Sequence, residues 1–496
     1  MTLERKPVSS RRDFFARTSD GLLGAALLQL LTSDVLADRP PKAASEKAIG
    51  SDSSNRTSNY DLSPKPGHHK PTATSVIQLF MNGGPSQMDL FDPKPELDKR
   101  HGQEYFSELA SEVENPTAAG ALMKCPYKFA QHGESGQWVS DALPHTAEIV
   151  DELALIKSMH TTNLTHELAL FKIHGGQEMP GLPSIGSWVS YGLGTENQNL
   201  PAYVVLDDPL GLPVNQTQSW QSGFLPPMYQ GTRFRSTGDP VLNLKREFEQ
   251  PDQVTSLERE LIAGLDKIHK DSRPGQLRLD ARMASYELAA RMQLEATDAL
   301  DLSKETQATL DMYGIGNDTT DSYGRRCLYA RRLVERGVRF VQLYINFQIW
   351  DNHTGITSGC KAACNKTDLP IAGLIRDLKQ RGLLDSTLVV WGGEFGRLPI
   401  AQLPANKDTA NAGRDHNKNA MITWMAGGGV KAGVSIGATD ELGFAAVEDR
   451  ISVADWHATI MHQLGLNYEH LYFERNGLKD RLTGVEEAHL ISSILK

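Results

Sequence analysis

Six short apolar runs, at residues 75–81, 153–159, 202–206, 339–345, 386–391 and 421–425, constrain this chain more than any other feature. Each has the length of a strand buried on both faces and is short for a core helix. Several end at glycine or polar loops and are followed by helical patterns, of which residues 369–378 and 453–464 are two. Strand alternating with helix predicts an α/β fold, with a mostly parallel central sheet and helices on both faces. Between residues 251 and 313 the chain becomes charged, poor in glycine and periodic, with Leu257, Leu261, Leu265 and Ile268 on one face. That pattern predicts a helical insertion within or against the core.

The first 72 residues lack this organisation. Ser10-Arg11-Arg12-Asp13-Phe14-Phe15 precedes a modest apolar run at 21–31 and a small-residue exit at Val35-Leu36-Ala37. The order is that of a twin-arginine signal peptide spanning residues 1–37, and the run is too short to cross a bilayer comfortably. The expected partner is the twin-arginine translocase, and the expected location is periplasmic or extracellular. Residues 38–72 are rich in Ser, Pro, Lys, Asn and Gly and hold almost no large apolar side chains, so a disordered linker is expected. Residues 73–496 then form the folded α/β domain. The formal charge is −10, and the first 37 residues carry five Lys/Arg against four Asp/Glu, which leaves the remainder near −11. This balance argues against a nucleic-acid binder. No long apolar stretch suggests a stable membrane span in the mature chain. The four cysteines are too few for a disulfide scaffold; Cys360 and Cys364 are spaced to share a helix face, which leaves a disulfide open.

In open α/β sheets, chemistry sits beyond the carboxyl ends of the strands. Four motifs fall there. Asn82-Gly83-Gly84-Pro85-Ser86-Gln87-Met88-Asp89 follows the first run, with Asn82 a metal or oxyanion candidate and the glycines open to close backbone approach. His160-Thr161-Thr162-Asn163-Leu164-Thr165-His166 follows the second run, and a hydroxyl near a helix N-terminus there suits attack on an anionic ester. Asp351 and His353 supply ligands of the kind zinc or manganese accepts. Trp391-Gly392-Gly393-Glu394-Phe395-Gly396-Arg397 and Gly413-Arg414-Asp415-His416-Asn417 add a carboxylate, an imidazole and two guanidinium groups. Either arginine could clamp an oxyanion or simply fix a loop. His457, in the first turn of a helix, reads as a structural histidine.

The segments MNGGPSQMDLFDPKPEL, SMHTTNLTHELALFKIHGG, CLYARRLVERGVRFVQLY, WDNH, GGEFGRLP, GRDHN and DWHATIMHQLGL run in order from residue 81 to 466. Together they resemble the bacterial family known as domain of unknown function 1501, placed with the alkaline-phosphatase-like superfamily. The resemblance implies a centre of one or two divalent metals, zinc or manganese, and hydrolysis or transfer of phosphate or sulfate esters. It picks Thr162, four residues before His166, as nucleophile, with a metal-bound water as the alternative; His166 is a further catalytic candidate, and Arg397 with the Gly83-Gly84 backbone is expected to hold ester oxygens. It implies Asp351, His353, Glu394 and His416 as metal ligands, to which the first loop adds Asn82 as a candidate. The superfamily carries Asp where this chain has Asn82, and Asp-His where it has Glu394-Phe395. Gln87 also stands where relatives often carry His. There is no C-x-P-x-R or S-x-P-x-R segment, so formylglycine chemistry is not expected.

The expectation is an exported metal-dependent hydrolase of a small-molecule or glycan ester. The alternative is a degenerate, non-catalytic member that binds an anionic glycan or a surface partner.

Overall fold

The computed structural model describes residues 61–235, 251–273 and 277–496. The expected signal peptide and most of the expected linker lie outside them. Among the described residues nine strands form the central sheet: β1 (Ser75–Phe80), β3 (Leu153–His160), β4 (Tyr203–Leu206), β5 (Thr232–Phe234), β6 (Phe340–Tyr344), β7 (Thr387–Gly392), β10 (Met421–Ala426), β11 (Val434–Ile436) and β12 (Ile451–Ser452). A three-stranded antiparallel sheet contributes β2 (Ala119–Leu122), β8 (Gly396–Gln402) and β9 (Gly413–Asn417).

All six expected runs are strands of the large sheet. Its spatial order is β11-β3-β10-β7-β1-β6-β4-β5, with β12 also on β3. Every pairing is parallel except those of β10, which runs antiparallel to both β3 and β7. Strand side chains alternate between faces. Ile77 and Leu79 of β1 join one core and Val76 and Phe80 the other. Helices α5 (Asp321–Glu335) and α6 (Ile356–Gln380) cover the first core. Helices α1 (His166–Gly175), α2 (Ile185–Leu193) and α7 (Val453–Gln463) cover the second. Burial on both faces explains why the strands read as mostly apolar runs rather than alternating ones.

The insertion is helical, as α3 (Asp252–Asp271) and α4 (Leu277–Leu300). Met292, Ala296 and Ala299 of α4 reach the core. The stripe of α3 does not: Leu257 is 64% and Ile268 69% exposed. Amphipathic period predicts helix, but which surface covers the apolar face is decided by tertiary placement. The linker expectation also changes at its end. Over residues 61–72 the backbone is tied down, with Thr195 N–H donating to Leu62 O, Lys65 N–H to Leu193 O, and Thr72 N–H to Gln463 O. Its polar composition leaves it without a core of its own, yet its peptide groups find hydrogen-bond partners at the ends of α2 and α7. The four cysteines are free thiols, Cys360 and Cys364 being buried on α6. No helix among the described residues is long and apolar enough to cross a membrane.

Candidate metal centre

The loops after β1, β3, β6 and β7 leave one edge of the sheet together. Because β10 runs the other way, its amino end lies at that same edge, and His416, in the β9 segment just before β10, arrives there too. After β1 the chain turns tightly. Gly83 has φ +108°, and a Cβ there would stand 2.5 Å from the Asp351 amide nitrogen, so only glycine fits against the 351 loop. Trp350 N–H donates to Asn82 O at 3.1 Å, which joins the two turns.

Asp351 is the focus. His353 Nε2 is 2.9 Å and His416 Nε2 3.2 Å from its Oδ1, and His166 Nε2 is 3.4 Å from its Oδ2. The other nitrogen of each ring faces an acceptor of its own. His166 Nδ1 is 2.7 Å from Glu394 Oε1. His353 Nδ1 meets Gln402 Oε1, and His416 Nδ1 meets Leu164 O and Glu114 Oε2, each at 2.7 Å. An acceptor at Nδ1 assigns the proton to that atom in a neutral ring and leaves the lone pair on Nε2. Three Nε2 atoms and one carboxylate oxygen therefore converge, with ligand atoms within 4.8 Å of one another, as a group that could hold a metal ion. His166 Nε2 is buried and has no aligned hydrogen bond.

The electrostatics follow from this crowding. Burial pushes the Asp351 carboxyl up, but the facing His166, His353 and His416 rings and the Arg397 charge outweigh it, and the group is held well below the usual carboxylate range. Burial lowers His166, yet the neighbouring Asp351 and Glu394 carboxylates win and raise it to about 9. His353 is raised against its own desolvation, chiefly by Asp351. Phe395 packs on two of the rings, its centroid 4.8 Å from that of His166 and 4.3 Å from that of His416.

Residues 73–495 match the family described as "Protein of unknown function (DUF1501)". The chain belongs to the DUF1501 family. No curated protein matches it. Among solved structures it is similar to the lipoteichoic acid synthase LtaP from Listeria monocytogenes, with 10% identity, 82% of this chain and 76% of that chain covered, and a TM-score of 0.36. It is similar to the PsFucS1 sulfatase from Pseudoalteromonas sp., at 13% identity, 80% and 68% coverage and a TM-score of 0.34. It is also similar to the alkaline phosphatase from the Antarctic bacterium TAB5, at 13% identity, 74% and 94% coverage and a TM-score of 0.29. With scores of this size, the function rests on the site's own residues.

The sequence-expected residues of this DUF1501 chain divide as follows. Asp351, His353 and His416 meet, and His166, expected as a catalytic group, stands with them as a fourth potential ligand. Glu394 stands behind His166. It is fully buried, and its carboxylate also accepts Gly83 N–H at 2.9 and 3.1 Å. Asn82 donates through Nδ2 to Ile345 O at 2.7 Å, and its Oδ1 is buried without a partner. Arg397 does not offer its guanidinium to a ligand. It is fully buried and donates to Gly83 O, Gly84 O and Arg414 O, and to Asp351 Oδ1 at 2.7 Å. The backbone of Gly83 is likewise engaged, so the expected oxyanion contacts from Arg397 and this turn do not fit their placement. Arg414 is the loop-fixing alternative: it forms a two-pronged pair with buried Asp89, at 2.7 and 3.0 Å.

Thr162 is exposed on the turn before α1; among the described residues no hydrogen bond ties it to the cluster. Thr165, not Thr162, is the N-cap residue of α1. His457 is buried, bonded to Ile173 O at 2.8 Å and lowered to about 3 by burial, as a structural histidine should be. Sequence reasoning missed Glu114 and Gln402, the supports of two of the imidazoles. Neither lies in a motif, and only the fold brings them near.

Proposed function

We propose that this protein is a metal-dependent hydrolase of phosphate or sulfate esters that acts outside the cytoplasm. The observation that carries the reading is the convergence of three Nε2 atoms on Asp351, each ring backed by its own acceptor at Nδ1. That is the ligand arrangement in which a support fixes the tautomer and raises basicity. His166, Asp351, His353 and His416 would hold the ion, and a nitrogen-rich set with one carboxylate suits zinc or a similar ion. The ion would supply a Lewis acid that polarises the ester. Phe395, where the resemblance leads one to expect an imidazole, fills that space with hydrocarbon and supports a single ion.

The chain's own groups then divide the work. Arg397 is a positioning residue: it anchors Asp351 to the Gly83-Gly84 turn and balances the carboxylate's charge. Glu394 orients His166. Thr162, exposed beside α1, supplies the hydroxyl for in-line attack on phosphorus or sulfur; the bond to the ester alcohol breaks, the alcohol leaves with a proton, and water then cleaves the Thr162 ester to release phosphate or sulfate. The Arg11-Arg12 segment supports the location, by the twin-arginine route.

The test is metal analysis of the purified protein with assays on 4-nitrophenyl phosphate, bis(4-nitrophenyl) phosphate and 4-nitrophenyl sulfate. The reading requires about one zinc or manganese per chain, and turnover abolished by chelation or Asp351→Ala. Thr162→Ala should retain the metal and lose kcat. A folded protein with neither metal nor turnover would refute the proposal.

A further inference from the structure

A groove of about 410 Å³ opens between the loop after β4 and the loop after β6, and is lined by Leu212, Pro213, Val214, Gln216, Phe347 and Gln348. Its volume lies within the ~300–1,000 Å³ usual for small-ligand clefts. Both walls are tied to the cluster. Asp351 N–H donates to Gln348 O at 2.8 Å, and Asn215 Nδ2 donates to Glu167 O at 2.8 Å, next to His166. The two walls are also tied to each other. Asp208, paired with Arg326 at 2.6 Å and fully enclosed, accepts Leu210 N–H from one loop and Asn346 N–H from the other.

Phe347 is 59% exposed and has φ +41°, and Gln216 across the groove has φ +46°. Left-handed backbone is unfavourable for both residue types and tends to persist where a site needs it. The Phe347 ring lies over Gly211, where an added Cβ would come within 2.5 Å of it. The phenyl face is thus held flat in a place where burial gains it little.

We infer that this groove binds a sugar ring, the alcohol portion of the ester cleaved at the neighbouring centre. The inference rests on the hydrolase reading for the words "of the ester" only. None of the six lining residues is charged, so the anionic group belongs at the cluster and the groove takes a neutral moiety. The flat phenyl face and the aliphatic wall suit the C–H face of a pyranose. The side-chain amides of Gln216 and Gln348 make no hydrogen bonds among the described residues. An arene or acyl chain would bury them unsatisfied at a cost, whereas ring hydroxyls satisfy them.

The test uses the intact protein and saturation-transfer NMR with methyl glucoside, methyl galactoside and methyl N-acetylglucosaminide, with benzyl alcohol and hexanol as apolar controls. At least one pyranoside should receive saturation on its C–H protons. Phe347→Ala, and Phe347→Leu, which keeps bulk but removes the flat face, should weaken that binding about ten-fold. Gly211→Ala, which tilts the ring without deleting it, should weaken it less. Binding of benzyl alcohol with no pyranoside, or pyranoside binding indifferent to both Phe347 variants, overturns the inference. Phe347-dependent pyranoside binding by a protein that hydrolyses no ester sinks the hydrolase reading and leaves the groove assignment standing. Ester hydrolysis without pyranoside binding does the reverse.

Discussion

Glu394→Gln isolates the contribution of a support group behind one imidazole. Glu394 Oε1 serves His166 Nδ1 at 2.7 Å and Gly83 N–H at 2.9 Å, and Oε2 serves the same Gly83 N–H at 3.1 Å. Glutamine keeps the shape. If its oxygen takes the Oε1 place, both bonds survive as neutral ones, but the amide NH₂ then points at the Gly83 N–H. If the amide flips, His166 Nδ1–H loses its acceptor. Either way the negative charge that raises His166 is gone. Losing such a support typically lowers metal affinity about 10–100-fold, or roughly 1.4–2.7 kcal/mol. Replacing the charge-assisted bonds should also cost about 1.5–3 kcal/mol of stability, since the group is fully buried. The assay is zinc competition against a fluorescent chelator, paired with thermal melts in excess zinc to separate the two effects. The expected result is a weaker but saturable site in a folded protein. Affinity within two-fold of the parent would refute the argument that Glu394 tunes His166. Complete loss of the site in a protein of unchanged stability would show instead that Glu394 is a direct ligand.

Three other outcomes follow from the same geometry. His166 is raised from the ordinary 6.5 to about 9, so in metal-free protein it contributes stability that is present below pH 6.5 and lost as pH rises through about 9. Melting temperatures of chelator-treated protein should fall from pH 7 to 9.5, while zinc affinity rises about ten-fold per pH unit for each proton displaced; a flat profile in both measurements would contradict the assignment. Asp89→Ala strands the enclosed Arg414, and the loss should be about 3–5 kcal/mol in chemical denaturation. Gly83→Ala forces a Cβ against the Asp351 amide at φ +108° and should destabilise by more than about 1 kcal/mol, with metal content falling alongside; a neutral effect on both would mean that the turn relaxes freely.

Much of the fold was legible because its strands are buried on both faces, which writes Val, Ile and Leu into consecutive positions such as 76–77 and 388–390. The edge strands β5 and β12 have three and two residues and carry no period to read. The site was legible as a set of polar residues just past strand ends. What could not be read was which of two neighbouring groups stands nearer the centre. His166 and Glu394 were both singled out, and their roles depend on a few ångströms set by the Gly83 turn. Arg397 looked like a clamp from its glycine-flanked position, but its burial comes from the packing of three loops around it. The apolar stripe of α3 specified a helix without specifying a neighbour.

A structural network of ion pairs would be built differently from this cluster. In such a network each imidazole needs an acceptor at each protonated nitrogen, and charges of opposite sign alternate. Here the Nδ1 side is well supplied, by Glu394, Gln402, Leu164 O and Glu114, one support or two for each ring. The Nε2 side is not: three rings and the Arg397 guanidinium share the two oxygens of Asp351, and His166 Nε2 has no aligned bond at all. Full protonation would gather four cations around the one carboxylate on the Nε2 side, since the enclosed Glu394 and Asp415 and the partly exposed Glu114 all stand on the Nδ1 side. Neutral rings would turn three lone pairs toward a carboxylate and repel it. One divalent cation among the four removes both difficulties, because it accepts the lone pairs and the carboxylate together. The uneven supply of partners on the two sides of the same three rings is therefore the strongest argument against a merely structural role for the cluster.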